Sequence, residues 1–225
     1  MSPSLQLLLL VLAAYLLGSV PFGLLIARVK GVDIRRQGSG NVGATNVGRV
    51  LGRWWGIAVF LLDSLKGLAS TIAAAELIRR HPGAPWTATS AYRDVVWLGI
   101  GTACIVGSIF PLYLRFRGGK GVAASLGVIL GVYPYLTWPG LTALLLWAIV
   151  VKVSGFISLG SIVAVGTLPI GFVLFSWILG WPLADHYPLL VLCVFLAVLV
   201  LFRHRDNMSR LLAGTENRIG QKPVA

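Results

Sequence analysis

Glycines, amide and hydroxyl side chains, and cations concentrate in three short stretches of this chain: Gly38 to Arg49, Phe116 to Gly121, and Arg203 to Asn207. Each falls at the end of an apolar run. In the first, Gly38, Gly40, Gly43, Gly48 and Gly52 interleave with or follow Ser39, Asn41, Thr45 and Asn46. Backbone without Cβ atoms can turn its N–H groups toward an anion, and Arg49 adds a forked cation that matches phosphate oxygens. In the second, Gly118, Gly119, Lys120 and Gly121 set a point charge before a helix starting near Val122, whose N-terminal end favours the same anion. In the third, His204 and Asn207 lie three residues apart and share a face if the helix continues. Such groups at a membrane surface suit a ligand with phosphate at one end and hydrocarbon at the other. Two familiar motifs are excluded. Gly38 to Gly43 has the G-x-G-x-x-G spacing but lies between apolar segments, not after a strand. Lys120 is followed by glycine, not by the Ser or Thr of a nucleotide-hydrolysing loop.

The elements that must hold these stretches are membrane spans. With 57% apolar and 12% charged residues over 225 positions, a solvated fold is excluded. The chain reads as an all-α integral membrane protein, one polytopic domain over residues 1–225. At about 20 residues per span, the apolar runs Leu5–Ala27, Trp55–Ile78, Val95–Leu114, Val122–Trp138, Leu141–Val151, Leu159–Leu179 and Leu189–Phe202 predict a seven-helix bundle. Reading Val122–Val151 as one long or re-entrant segment lowers the count to five or six. Fifteen of the nineteen Lys and Arg residues fall in Arg28–Arg53, Arg115–Lys120, Lys152 and the tail from Arg203, against Arg79, Arg80 and Arg93 on the other side. The positive-inside rule then sets the N-terminus outside and the C-terminus in the cytoplasm. The net charge of +12 has a competing explanation in attraction to anionic lipid headgroups. A nucleic-acid partner is not expected, because no soluble basic domain exists to carry one. Cys104 and Cys193 sit inside apolar runs, which argues against a disulfide or thiolate metal site. Asp63 and Lys66, one turn apart inside a span, either pair with each other or shape a polar pocket.

These residues resemble the acyl-phosphate-dependent glycerol-3-phosphate acyltransferases of bacterial membranes. The resemblance runs nearly the whole length: Gly18 to Gly23; Ser39 through Asn41, Thr45, Asn46 and Arg49; Asp63, Lys66 and Gly67; Phe110 and Pro111 through Gly118 to Gly121; and Arg203, His204 and Asn207 followed by Arg210, Gly214 and Glu216. The chain departs from the family at Ser108, where histidine is usual, which speaks against an essential role for that histidine. The resemblance implies a seven-helix bundle in the bacterial inner membrane, with its site open to the cytoplasm. It implies transfer of an acyl group from acyl phosphate to the sn-1 hydroxyl of glycerol 3-phosphate, giving lysophosphatidic acid. It further implies that Ser39, Arg49, Lys120, Ser158 and Asn207 bind glycerol 3-phosphate, while Thr45, His204 and the glycine loop face the acyl phosphate. Gly40, Asn41, Asn46, Lys66, Gly118 and Gly119 complete the expected binding set, with His204, Asn207, Lys120 and Ser39 as the catalytic group.

An acyl phosphate already carries a good leaving group, so orientation and charge screening suffice and no serine or cysteine nucleophile is needed. The histidine–aspartate pair of the soluble-type acyltransferases, four residues between them, is absent: Trp86, Val191 and Ser209 stand five residues after His81, His186 and His204. The proton of the attacking hydroxyl goes to His204 or to a substrate phosphate, the latter being favoured. No metal or cofactor is expected, since neither carboxylates nor histidines cluster. A small polytopic transporter is the rival reading, with Asp63 and Lys66 lining a path. It requires comparable polar constellations on both faces, which Arg79–Asp94 and Gly180–Pro188 do not supply. A head-group transferase would need spaced aspartates, which are missing.

Overall fold

The computed structural model describes residues 2–219, all of whose regular structure is helical. The first apolar run forms two helices, α1 (Pro3–Ser19) and α2 (Phe22–Val29), broken at Val20 and Pro21. Pro21 lacks a donor and its ring disfavours helical backbone at Val20. The short helix α3 (Ala44–Leu51) leads into the long α4 (Arg53–Arg80), followed by α5 (Ser90–Ile109), α6 (Val122–Gly131), α7 (Thr137–Ser154), α8 (Ile157–Leu179), α9 (Tyr187–Arg203) and α10 (Arg205–Leu212).

Among the described residues five stretches are long and apolar enough to cross a bilayer, and a sixth is added if α9 and α10, bent by 59°, count as one. Seven equal spans are therefore not what forms. The expected run Val122–Trp138 yields only the ten-residue α6, about 15 Å long at 1.5 Å per residue. The chain then turns through Val132–Leu136, where Pro134 cannot donate, and α7 begins at Thr137 with Pro139 in its first turn, where the missing donor costs no helical bond. The single domain expected over residues 1–225 extends past the described residues at both ends.

α4 packs against α1, α3, α5 and α6, and α8 lies between α7 and α9. Without a hydrophobic force between helices in lipid, close packing of small residues has to hold such contacts. A Cβ on Gly127 would stand 1.8 Å from the Ser64 carbonyl oxygen, and one on Gly67 2.2 Å from that of Ala124, so α4 and α6 touch backbone to backbone. Apolar side chains of α5, α6, α8 and α9 fill the largest core, around Ile105, Val128, Phe172 and Leu196.

α5 fixes the two ends of the bundle. Near its start, buried Asp94 meets the His186 ring nitrogen Nδ1 at 2.7 Å. The Tyr135 ring covers His186 at 4.1 Å between centroids, and Trp181 closes edge-on against Tyr135 at 4.9 Å. At the other end, the Ile109 carbonyl accepts from the Gly118 amide at 3.1 Å, bringing in the second glycine stretch.

Candidate active site

The second and third polar stretches meet at that end of α5. The Lys120 ammonium donates to Asn207 Oδ1. The Asn207 amide donates at 2.6 Å to Glu216 Oε1, which also accepts from the Ser158 hydroxyl at 2.9 Å. Arg210 Nε reaches the other carboxylate oxygen at 2.7 Å. Four segments far apart in sequence thus converge on one carboxylate: the loop before α6, the first turn of α8, α10, and the tail. Ser158 is here the buried partner of Glu216 and not only a helix starter. His204, 3% exposed at the break between α9 and α10, donates from Nδ1 to the Val200 carbonyl at 2.8 Å. In the neutral imidazole that bond places the proton on Nδ1 and leaves Nε2 as an acceptor.

Charge at this cluster is unbalanced. Lys120 feels Arg210 and Arg203 on one side and Glu216 and Asp206 on the other, so the three cations exceed the two carboxylates by one. Burial pushes the Lys120 ammonium down to about 8, partly offset by Glu216. Burial also raises the Glu216 carboxyl, but hydrogen bonds from Asn207, Arg210 and Ser158 outweigh it and hold the group below the ordinary range. An anion entering here finds donors and cations already arranged.

The glycine stretches are shaped differently from the expectation that their amides cup an anion. In the first, the Gly40 amide donates to Gln37 O at 3.0 Å and the Gly43 amide to Asn41 Oδ1 at 2.8 Å. In the second, Gly118 and Gly119 donate back to Ile109 and Ser108. These amides fold the loops, while those of Lys120 and Gly121, directly before α6, are not tied down in this way. Arg203 fastens the second loop from outside, donating to Gly119 O at 3.0 Å, with its guanidinium carbon 5.9 Å from the Phe110 ring centre.

Two expected binding residues turn inward. Asn46 is 1% exposed; its Oδ1 accepts from the Ser39 amide at 2.8 Å, and its Nδ2 donates to the Ile34, Gln37 and Asn41 carbonyls. It holds the loop in shape and has nothing left for a ligand. Lys66 is likewise spent: its Nζ lies 3.0 Å from Gly18 O, 3.1 Å from Val20 O and 2.7 Å from Asp63 Oδ1, which takes all three donors of an ammonium. In this structure Lys66 is an internal brace. By contrast, Ser39 Oγ, Thr45 Oγ1 and the Arg49 guanidinium have no partner among the described residues, and Thr45 and Arg49 stand one turn apart on α3. The two glycine loops adjoin, since a Cβ on Gly119 would lie 3.9 Å from Asn41 Oδ1. Both border a narrow cleft whose walls include Phe22, Gly43, Asp63, Lys66, Ser108 and Gly119.

Glu216 is the centre of the cluster, yet sequence reasoning reached it only as the last residue of a resemblance. The available signal was an acidic residue in a tail dominated by cations.

Comparison with known proteins places this arrangement among relatives. The model of the family described as "Glycerol-3-phosphate acyltransferase" matches residues 8–214. A protein of that name from Geobacter sulfurreducens is 44% identical over 212 residues, covering 94% of this chain and 96% of the relative. One from Aquifex aeolicus is 39% identical over 211 residues, covering 94% and 98%. Among solved structures, the crystal structure of PlsY, an integral membrane glycerol 3-phosphate acyltransferase, in its glycerol 3-phosphate form superposes with a TM-score of 0.76 at 39% identity, over 95% of this chain and 96% of the other. Its lysophosphatidic acid form gives 0.75 at the same identity.

Proposed function

The chain belongs to the glycerol-3-phosphate acyltransferase family, an integral membrane acyltransferase of phospholipid synthesis, and from that premise we propose that its acyl donor is an acyl phosphate. In this reading the sn-1 hydroxyl oxygen of glycerol 3-phosphate attacks the acyl carbonyl carbon. The new ester C–O bond forms, the bond from that carbon to the phosphate oxygen breaks, and inorganic phosphate leaves with lysophosphatidic acid. The hydroxyl proton goes to a substrate phosphate oxygen, with His204 positioning the substrate.

The observation that carries this reading is the surplus of positive charge around Glu216, where Lys120, Asn207 and Ser158 meet beside a tightened glycine loop. Lys120 and Arg49 screen the phosphates, Asn207, Ser158 and Ser39 hold glycerol 3-phosphate, and Thr45 and His204 face the donor. Orientation and screening then lower the barrier without a covalent enzyme intermediate.

We also assign the N-terminus to the outside, the C-terminus to the cytoplasm, and the site to the cytoplasmic face of a bacterial inner membrane. The cation asymmetry supports it. Seven crossings are favoured by the reach of the segment around α6: Gly121 lies against Ile109 at one end of α5, while Tyr135 covers His186, the partner of Asp94, at the other.

Purified enzyme assayed side by side with acyl phosphate, acyl-CoA and acyl-carrier protein tests the donor. Turnover is expected with acyl phosphate alone. Robust acyl-CoA-dependent synthesis would overturn the assignment.

A further inference from the structure

Lys66 is buried at 4% exposure, charged, and separate from the cluster around Glu216. The reason it sits in an apolar helix is found in the first span. Where α1 ends, the Phe22 amide turns to Val20 O at 3.2 Å and leaves Gly18 O without its helical donor. In lipid no water can take over, so the break has to be satisfied from within the protein. Lys66 reaches across from α4 to both carbonyls, at 3.0 and 3.1 Å, and Asp63 balances its charge at 2.7 Å.

The segment held in this way lies directly on the first glycine stretch. A Cβ on Gly23, the second residue of α2, would be 1.9 Å from the Val42 carbonyl oxygen and 3.2 Å from a Val47 methyl. Phe22 and Gly23 share their cleft with Val42, Gly43 and Gly119 as well as with Asp63 and Lys66. Moving α2 therefore moves Val42 and the loop that carries Ser39 and leads to Arg49.

We propose that Lys66 is a positioning residue for acyl transfer: by bracing the break between α1 and α2 through Gly18 O and Val20 O, it seats α2 on Val42 and so sets the Gly38–Gly43 loop against Gly119. The inference rests on the assignment of Ser39 and Arg49 to glycerol 3-phosphate. A loop displaced by a fraction of an ångström weakens capture of that substrate more than the chemistry that follows.

The test compares Lys66→Met, Lys66→Arg, Gly23→Ala and Arg49→Ala in purified protein, reading KM for glycerol 3-phosphate, kcat and Tm. Lys66→Met keeps the length of the side chain but cannot donate; its KM should rise about tenfold or more while kcat stays within about threefold. Lys66→Arg, which keeps donors and charge, should recover most of that change. Gly23→Ala presses on Val42 with Lys66 intact and should reproduce the KM defect. A lowered Tm with unchanged KM in Lys66→Met and Gly23→Ala overturns the proposal and leaves Lys66 a stabilising residue only. If Lys66→Met does not accumulate, Gly23→Ala and Lys66→Arg decide: an unchanged KM in Gly23→Ala sinks it. Should Arg49→Ala itself leave KM unchanged, the substrate assignment fails; should Arg49→Ala raise KM while Lys66→Met and Gly23→Ala do not, the positioning inference alone fails.

Discussion

Two buried polar clusters stand at opposite ends of α5, and they are built to different accounts of charge. Around Asp94, one carboxylate meets one imidazole, and Tyr135 and Trp181 close over the pair. Every charged group there has a partner and the aromatic rings exclude anything further. Around Glu216, one carboxylate gathers Asn207, Ser158 and Arg210 while Lys120 and Arg203 remain in excess. The first cluster ties a loop to a helix. The second gathers donors and cations on one carboxylate, the arrangement proposed above to take a phosphate. Burial of polar groups alone does not mark a functional site; an unmatched charge beside free donors does.

The sharpest way to break this comparison is to ask whether the clusters face opposite sides of the membrane. A cysteine at Gly38 or Gly214 should react with an impermeant thiol reagent only from the cytoplasm and one at Gly83 only from outside, all-or-none. Labelling of Gly38 and Gly83 positions from the same side removes the two-ended picture. Next in size, Lys120→Ala should lower kcat/KM by about 10- to 100-fold, because a charged hydrogen-bonding partner contributes about 1.5–3 kcal/mol. Exposed Arg28→Ala should change it by less than about twofold, and equal behaviour of the two variants reduces Lys120 to a topology signal.

The pH dependence probes the same excess charge. On the proposed assignment Lys120 binds phosphate when protonated, and burial depresses its pKa to about 8. KM for glycerol 3-phosphate should therefore be flat below that value and climb as pH rises through it, by up to about tenfold per unit. Lys120→Arg should abolish the inflection; a persistent one points to another group. The smallest catalytic effect belongs to the balanced cluster. His186→Ala leaves Asp94 buried without its partner, costing about 1–3 kcal/mol of stability, yet kcat/KM should stay within about threefold. A large catalytic loss with an unaltered Tm would show that this end also takes part in turnover.

Hydropathy made most of the spans legible because lipid demands long apolar runs, and α4, α5 and α8 follow them closely. The break in the first span was also within reach, since Pro21 stands at its centre. Less legible was the short α6: glycines at positions 127 and 131 read as ordinary apolar sequence, although they let α6 press into α4. For the site, residue type pointed to Lys120, Asn207 and His204, and the family resemblance to Ser158; Lys120, Asn207 and Ser158 are joined around Glu216. Residue type does not separate a donor that serves a ligand from one that, as at Asn46 and Lys66, serves the protein's own carbonyls. Only the fold reveals which carbonyls are stranded. Glu216 shows the converse: its partners lie 58 residues back at Ser158 and nine back at Asn207, a meeting that no local pattern announces.

The place of Glu216 after the last apolar helix also sets an order on biosynthesis. A ribosome that has finished α9 has made every long apolar helix among the described residues, but the carboxylate that joins Asn207, Ser158 and Arg210 is still to be made. Until it emerges, the cations at this end repel one another with nothing to gather them. A chain ending before Glu216 thus keeps its apolar helices yet lacks the carboxylate that gathers this end, a state that a membrane protease can distinguish from the finished enzyme by that loose end.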